Sequence, residues 1–359
     1  MKICHWVAYP NSGMYNVAGS ISAAEQAIGL DSHLVDIQGS VEWDEWADAD
    51  VHVAHTHFPN EMRARLTRPL KLVFPCHGTP EHIFYSAVES IKTGYGHGDG
   101  WMLFQYWMQN ADARVTFWPR HQAIMETMVD KGTKVHLVPL GINRKFWAEG
   151  QSAGKWAGNP SVLSAENCHQ IKWPLDLLLM WPWVYKEIPS ASLHVNYLPN
   201  DKHRWFFPLV NRNGASFGAH ISSFTFPHVE LRNVFKSVDY QFSHVRYGDF
   251  NRLCLEASAS GCRVISYPGN PYADFWVTEG DQRQTAADLI AVLKGQVGPR
   301  KDKQEVPDIS ETALAMRNIY EGICNQPTLL TRPRKSAKAR KSGTSRLSSK
   351  TSRSAKTAR

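Results

Sequence analysis

Residues 246–268 read Arg-Tyr-Gly-Asp-Phe-Asn-Arg-Leu-Cys-Leu-Glu-Ala-Ser-Ala-Ser-Gly-Cys-Arg-Val-Ile-Ser-Tyr-Pro. They combine the residue types that hold a phosphorylated sugar. A short loop runs into a helix beginning near Phe250, Gly261 stops that helix, and a β-branched strand follows. A loop feeding a helix N-terminus offers unpaired N–H groups and a partial positive charge, which suits a phosphate. The backbone N–H groups of Phe250 and Asn251 are therefore candidate phosphate donors, whatever their side chains. Asp249 stands just before the helix. Glu256 lies two turns inside it, placed to accept hydrogen bonds from sugar hydroxyls. The pattern points to a nucleotide-sugar site.

Other reactive side chains fall at predicted strand ends. His77 precedes Gly78 at the end of an apolar run, and Gly13, His55 and His57 also lie at or just after strand ends. In a parallel sheet the carboxyl ends of the strands are where ligands bind, so these residues crowd toward one rim. Lys172 stands beside the start of a helix, an unfavourable place for a cation unless an anion sits there. His55 and His57 share a strand face by alternation, but no third ligand is evident and no metal is expected. Six scattered cysteines without a CxxC pair read as reduced thiols of a cytoplasmic protein.

The elements that must position these groups alternate along the chain. Strands are expected at 3–9, 33–37, 51–58, 71–76, 114–117 and 135–139, with helices at 16–29, from about 81, and at 119–130. A Gly-rich loop is expected at 94–100. Residues 148–160 lack periodicity and read as a linker. The alternation then resumes, with strands at 161–165, 192–197 and 238–242. Helices are expected at 173–186, 201–213, 229–236, 284–295 and 309–323, and residues 215–226 are of mixed pattern. Trp173, Trp181 and Trp183 in the first of these helices cannot all share one face. Such alternation implies α/β architecture with parallel sheets covered by helices on both faces. The expected organisation is an N-terminal Rossmann-like domain at 1–147, a linker at 148–160, a C-terminal domain at 161–307, a C-terminal helix at 308–327 and a tail at 328–359. A length of 359 residues suits two such domains.

Composition separates body from tail. The formal net charge is +7, yet residues 332–359 carry eleven Lys and Arg and no acid, leaving the remainder at −4. The tail's Ser, Thr, Ala, Lys and Arg bury no core, so it is expected to be disordered. It is either a tether to a polyanion, nucleic acid or an anionic membrane surface, or a solubilising extension. No apolar run reaches the roughly 18 residues of a membrane helix, and the first ten residues do not read as a signal peptide.

In order and spacing the motifs resemble those of GT-B glycosyltransferases, and specifically glycosyltransferase family 4, over most of residues 1–280. The resemblance rests on 11–29 after the first strand, His77-Gly78-Thr79-Pro80-Glu81, Ala111-Asp112-Ala113, the 134–146 stretch containing Val138-Pro139-Leu140-Gly141-Ile142-Asn143, the helix at 174–184 with the stretch 188–194, and 253–265. It implies two Rossmann-like domains facing a central cleft. It further implies a nucleoside-diphosphate sugar as donor, no cofactor, and transfer with retention to an acceptor that is not identified. The donor would contact Gly13, Lys172, Phe250, Asn251 and Glu256, with Lys172 on the diphosphate and Glu256 on the ribose. His77 and Asp249 would serve the reacting sugar. Two positions depart from the family pattern: Gly248 stands where the first glutamate is usual, with Asp249 adjacent, and Asn167 stands where an arginine grips the diphosphate. Arg246, Arg252 and Arg263 are near enough in sequence to replace that arginine. The departures also admit a weakened, binding-only module, and the tail admits a nucleic-acid acceptor.

Overall fold

The computed structural model of the chain describes residues 1–8, 10, 12–77, 83–84, 99–130, 133–165, 175–196, 216–222, 228–245 and 252–325. All of these lie within one compact unit, Met1–Gln326.

Twelve described strands form two six-stranded sheets, each parallel throughout. The first contains β1 (Lys2–Val7), β2 (Asp31–Asp36), β3 (Val51–Ala54), β4 (Leu72–Cys76), β5 (Ala113–Thr116) and β6 (Val135–Leu137), in the order β2-β1-β3-β4-β5-β6. Its helices are α1 (Gly13–Ala27), the short α2 (Asn60–Arg63), α3 (Asp99–Asn110) and α4 (Pro119–Glu126), while α5 (Arg144–Ala148) packs toward the second sheet's helices, with Trp147 against Phe235 and Phe146 under Arg232. The second contains β7 (Ser161–Ser164), β8 (Ser192–Asn196), β9 (Ala219–Ser222), β10 (Tyr240–Ser243), β11 (Arg263–Ser266) and β12 (Phe275–Trp276), in the order β12-β11-β10-β7-β8-β9. Around it lie α6 (Leu175–Glu187), α7 (His228–Phe235), α8 (Arg252–Ala259) and α9 (Gln282–Leu293), and α10 (Ile309–Asn325) completes the unit. In each sheet the order steps outward from an inner strand to one side and then to the other, creating the switch point at which such sheets bind ligands.

Alternation decides which residues meet which layer. Trp6, Phe74 and Cys76 face a layer containing Phe104, Trp107 and Met125, whereas Ile3, Val51, Val53 and Val73 face Val17 and Ile21 of α1 and Met316, Ile319 and Tyr320 of α10. Helix α10 is thus part of the first sheet's cover, although it follows the second sheet in sequence. Ile142 and Asp308 pair in a β-bridge, Gly141 N–H donates to Thr312 Oγ1 at 2.8 Å, and that hydroxyl donates to the Pro139 carbonyl at 2.7 Å. A Cβ at Gly141 would run into the Asp308 carbonyl and lie 2.7 Å from Thr312 Oγ1, so this crossing requires glycine.

Several boundaries differ from expectation. The strand expected at 51–58 ends at Ala54. There the Ala8 N–H donates to the Thr56 hydroxyl at 3.1 Å, so a side chain replaces the next rung of the ladder. Residues 99–100, expected in the Gly-rich loop, open α3, whose Phe104, Trp107 and Met108 are buried at helical spacing. The two-residue strand β12 is too short to leave a periodic signal. Helix α6 contains Pro182. Trp181 is fully buried and donates from Nε1 to the Phe217 carbonyl at 2.9 Å, while Trp183 is exposed. Gly261, at φ 83°, ends α8 as expected, because a left-handed residue there carries no Cβ penalty.

Candidate functional site

His77 follows the last residue of β4, at the carboxyl edge of the first sheet. The residue is partly exposed, and its ring tilts against Phe117 with centroids 5.6 Å apart. Phe117, immediately after β5, lines a cavity of about 490 Å³. The cavity is bounded by Trp118, Pro119, Arg120 and residues 137–139 on one side and by Gly269, Pro271, Tyr272 and Gln304 on the other. It lies where segments following β5, β6 and β11 converge, so strand ends of both sheets contribute. Burial pushes the His77 imidazole down to about 4, so the ring is neutral near pH 7.

Behind His77 stand further buried titratable groups. His77 Nε2 is 2.6 Å from His55 Nδ1, and His55 Nε2 is 2.8 Å from His5 Nδ1. His5 Nε2 is 2.8 Å from Glu25 Oε2. Glu25 also accepts from the Ser32 hydroxyl at 2.6 Å and from the Tyr320 phenol at 2.8 Å. His5, Glu25, Ser32 and Tyr320 are fully buried and His55 is nearly so. Burial holds His55 well below the ordinary imidazole range, and the neighbouring His77 and His5 act in the same direction. Two nitrogens bound to one tetrahedral metal would stand about 3.3 Å apart. The observed spacings are hydrogen bonds, and no metal-holding group of three or more His, Cys, Asp or Glu occurs among the described residues.

Glu256 lies on α8, 2 % exposed, with Oε1 2.8 Å from Arg252 Nε. Burial raises its carboxyl to about 7 against the opposing pull of Arg252. Arg252 also donates to the Asn16 carbonyl on α1 at 3.1 Å. The helix that starts at Gly13 is thereby tied to the helix carrying Glu256. A Cβ at Gly13 would meet nothing within 4 Å, so space lies open at this helix start. Arg263 is committed elsewhere, over the Tyr240 ring at 4.4 Å.

Of the residues singled out in the sequence, Gly13, His77 and Glu256 are thus described. Lys172, Asp249, Phe250 and Asn251 lie outside the described residues, as do Asn167, Arg246, Gly248, Trp173, the segment 201–213 and the basic tail. His57 does not join the histidine cluster and lies beyond the strand. His5, Glu25 and Tyr320 escape a reading by local motif. For the histidines the sequence signal is that 5, 55 and 77 share parity with the apolar residues 3, 53 and 73 of adjacent strands, and Glu25 and Tyr320, on helices, have no such signal.

No protein-family model and no curated protein sequence matches the chain. Solved structures do match it in fold. A sucrose-phosphate synthase from Thermosynechococcus elongatus superposes with a TM-score of 0.64 at 14% identity, covering 90% of this chain and 96% of that one. Anabaena HepE in complex with UDP-glucose matches at 0.59 and 12% identity, covering 90% and 98%. WaaG, a glycosyltransferase involved in lipopolysaccharide biosynthesis, matches at 0.56 and 11% identity, covering 90% and 95%. The fold is GT-B, with two parallel-sheet α/β domains.

Proposed function

We propose that this chain transfers a glycosyl group from a nucleoside-diphosphate sugar to an acceptor, with retention of configuration. The observation that carries the reading is the placement of His77. It is a neutral imidazole at the carboxyl edge of the first sheet, against a ring that lines a cavity shared by both sheets' strand ends. The GT-B fold supports it, as does the UDP-glucose held by HepE in that protein. In this reading Glu256 binds the ribose, and Lys172 with the N–H groups of Phe250 and Asn251 stabilises the diphosphate as negative charge develops on the leaving group. His77 and Asp249 face the sugar, and Gly13 leaves its helix start open to the donor. Ribose hydroxyls would share the Glu256 carboxylate with Arg252. The cation therefore does not need to leave, and it already draws charge toward the site.

The test is a thermal-shift screen with UDP-glucose, ADP-glucose and GDP-mannose, followed by donor hydrolysis. A ligand present at 100 times its Kd stabilises by about 2.7 kcal/mol, which a melting curve resolves. We expect one donor to stabilise the chain, and Glu256→Ala and Lys172→Ala to lose most of that shift and of the turnover. Absence of a shift with every donor, or unchanged shift and turnover in both variants, overturns the reading. A binding-only module is a second reading, favoured by Gly248 and Asn167, and a donor-induced shift without hydrolysis or transfer selects it.

A further inference from the structure

The hydrogen-bonded line His77–His55–His5–Glu25 has a direction, and that direction is set at its buried end. Strand order and pleat build it. β1, β3 and β4 are adjacent, and His5 pairs in register with Val53, two residues short of His55. Val53 pairs with Val73, four residues short of His77. The three imidazoles therefore share one face and climb two residues toward the carboxyl edge at each strand. The line ends inward at Glu25 on α1, where Ser32 and Tyr320 also donate. Burial, with the charge and hydrogen bond of Glu25, holds the Tyr320 phenol far above its ordinary range, so it remains a donor.

Ser32 donates to Glu25 Oε2 and Tyr320 to Glu25 Oε1, so the carboxyl group acts as acceptor at both oxygens, and its contact with His5 Nε2 takes the same sense. His5 must then donate from Nε2, which in a neutral ring leaves Nδ1 as acceptor. His55 must donate from Nε2 to His5, leaving its own Nδ1 to accept from His77. His77 in turn carries its proton on Nε2. Its Nδ1, which has no partner among the described residues, is left as a bare lone pair.

We propose that His55, His5 and Glu25 are positioning residues that hold His77 as the Nε2–H tautomer, so that Nδ1 accepts a hydrogen bond from a hydroxyl of the bound sugar or acceptor. The hydroxyl partner rests on the glycosyl-transfer reading; the tautomer does not. Without the line, a neutral histidine exchanges between its two tautomers and for part of the time presents a donor at Nδ1 instead.

The experiment is ¹⁵N–¹H correlation spectroscopy of the histidine-labelled full chain, with the His77 ring assigned by its loss in His77→Gln. In the wild type, Nδ1 of His77 is expected at the unprotonated position and Nε2 at the protonated one. Glu25→Met removes the terminal acceptor and supplies no other, so His5 is no longer fixed and the single tautomer of His77 is expected to be lost. Should Glu25→Met fail to fold, His5→Asn cuts the line one link nearer and is expected to abolish the single tautomer. Tyr320→Phe keeps the carboxylate and is expected to keep the wild-type pattern. A protonated Nδ1 in the wild type, an unchanged tautomer in the folded Glu25 or His5 variants, or a reversal in Tyr320→Phe overturns the proposal. None of these readings requires turnover, so failure of the tautomer assignment is distinguishable from failure of the function.

Discussion

Two ionisable groups of the candidate site are poised in opposite senses. His77 is pushed down to about 4 by burial and stays neutral, while Glu256 is raised to about 7 by burial despite Arg252. The second shift has a measurable consequence. The unfolded carboxyl titrates near 4.5, so between about 4.5 and 7 the folded state binds more protons than the unfolded one. The Glu256 contribution is fully present below that window and is lost as pH rises through it, on the order of 1–3 kcal/mol. Glu256→Gln is expected to flatten this part of the profile of unfolding free energy against pH, measured by urea denaturation at several pH values. An identical slope in wild type and variant would show that Glu256 is not the group responsible. A local motif revealed Glu256 as a candidate. Its partner Arg252 was legible only as a nearby cation, because an i, i+4 pair on α8 says nothing about the Asn16 carbonyl that α1 brings to it.

At the scale of elements, the crossing between the 139–142 segment and the start of α10 joins the chain's last described helix to its first sheet. It depends on contacts that admit no side chain at Gly141. Gly141→Ala forces either Asp308 or Thr312 to move, and overpacking of this kind costs about 1–3 kcal/mol. We expect the midpoint of denaturation to fall with little change in the dependence on denaturant, and a midpoint equal to wild type would refute the crossing as drawn. The same helix also carries Tyr320 to Glu25. Most strands and helices were legible from periodicity, α1, α9 and α10 among them. The exceptions have local causes. β3 stops early because Thr56 takes over the Ala8 N–H, and α3 follows directly on a glycine-rich stretch that reads as loop.

Across the described residues, histidines held below their ordinary range set the response to acid. His52 and His77 are each lowered to about 4, and His55 well below its ordinary value, all chiefly by burial. Their unfolded forms take up protons near 6.5, so their stabilising contribution is present above that pH and is lost as pH falls toward 4. His52 and His77 are worth roughly 3 kcal/mol each, and Glu256, the one carboxyl raised among the described residues, offsets only one of them. Stability is therefore expected to fall on acidification from about pH 6.5, before ordinary carboxylates titrate. Thermal melts at pH 7.5, 6 and 5 check this, and a melting temperature unchanged across the series would contradict it. The sequence by itself determined the α/β class, the two sheets and the strand-end placement of His77, because periods of 2 and 3.6 and the glycine stops are local properties of the chain. Tertiary structure alone decided that His5, His55, His77, Glu25 and Tyr320 form one line. Their contacts span up to 295 residues, and they arise from strand order and from the return of α10, which no local period encodes.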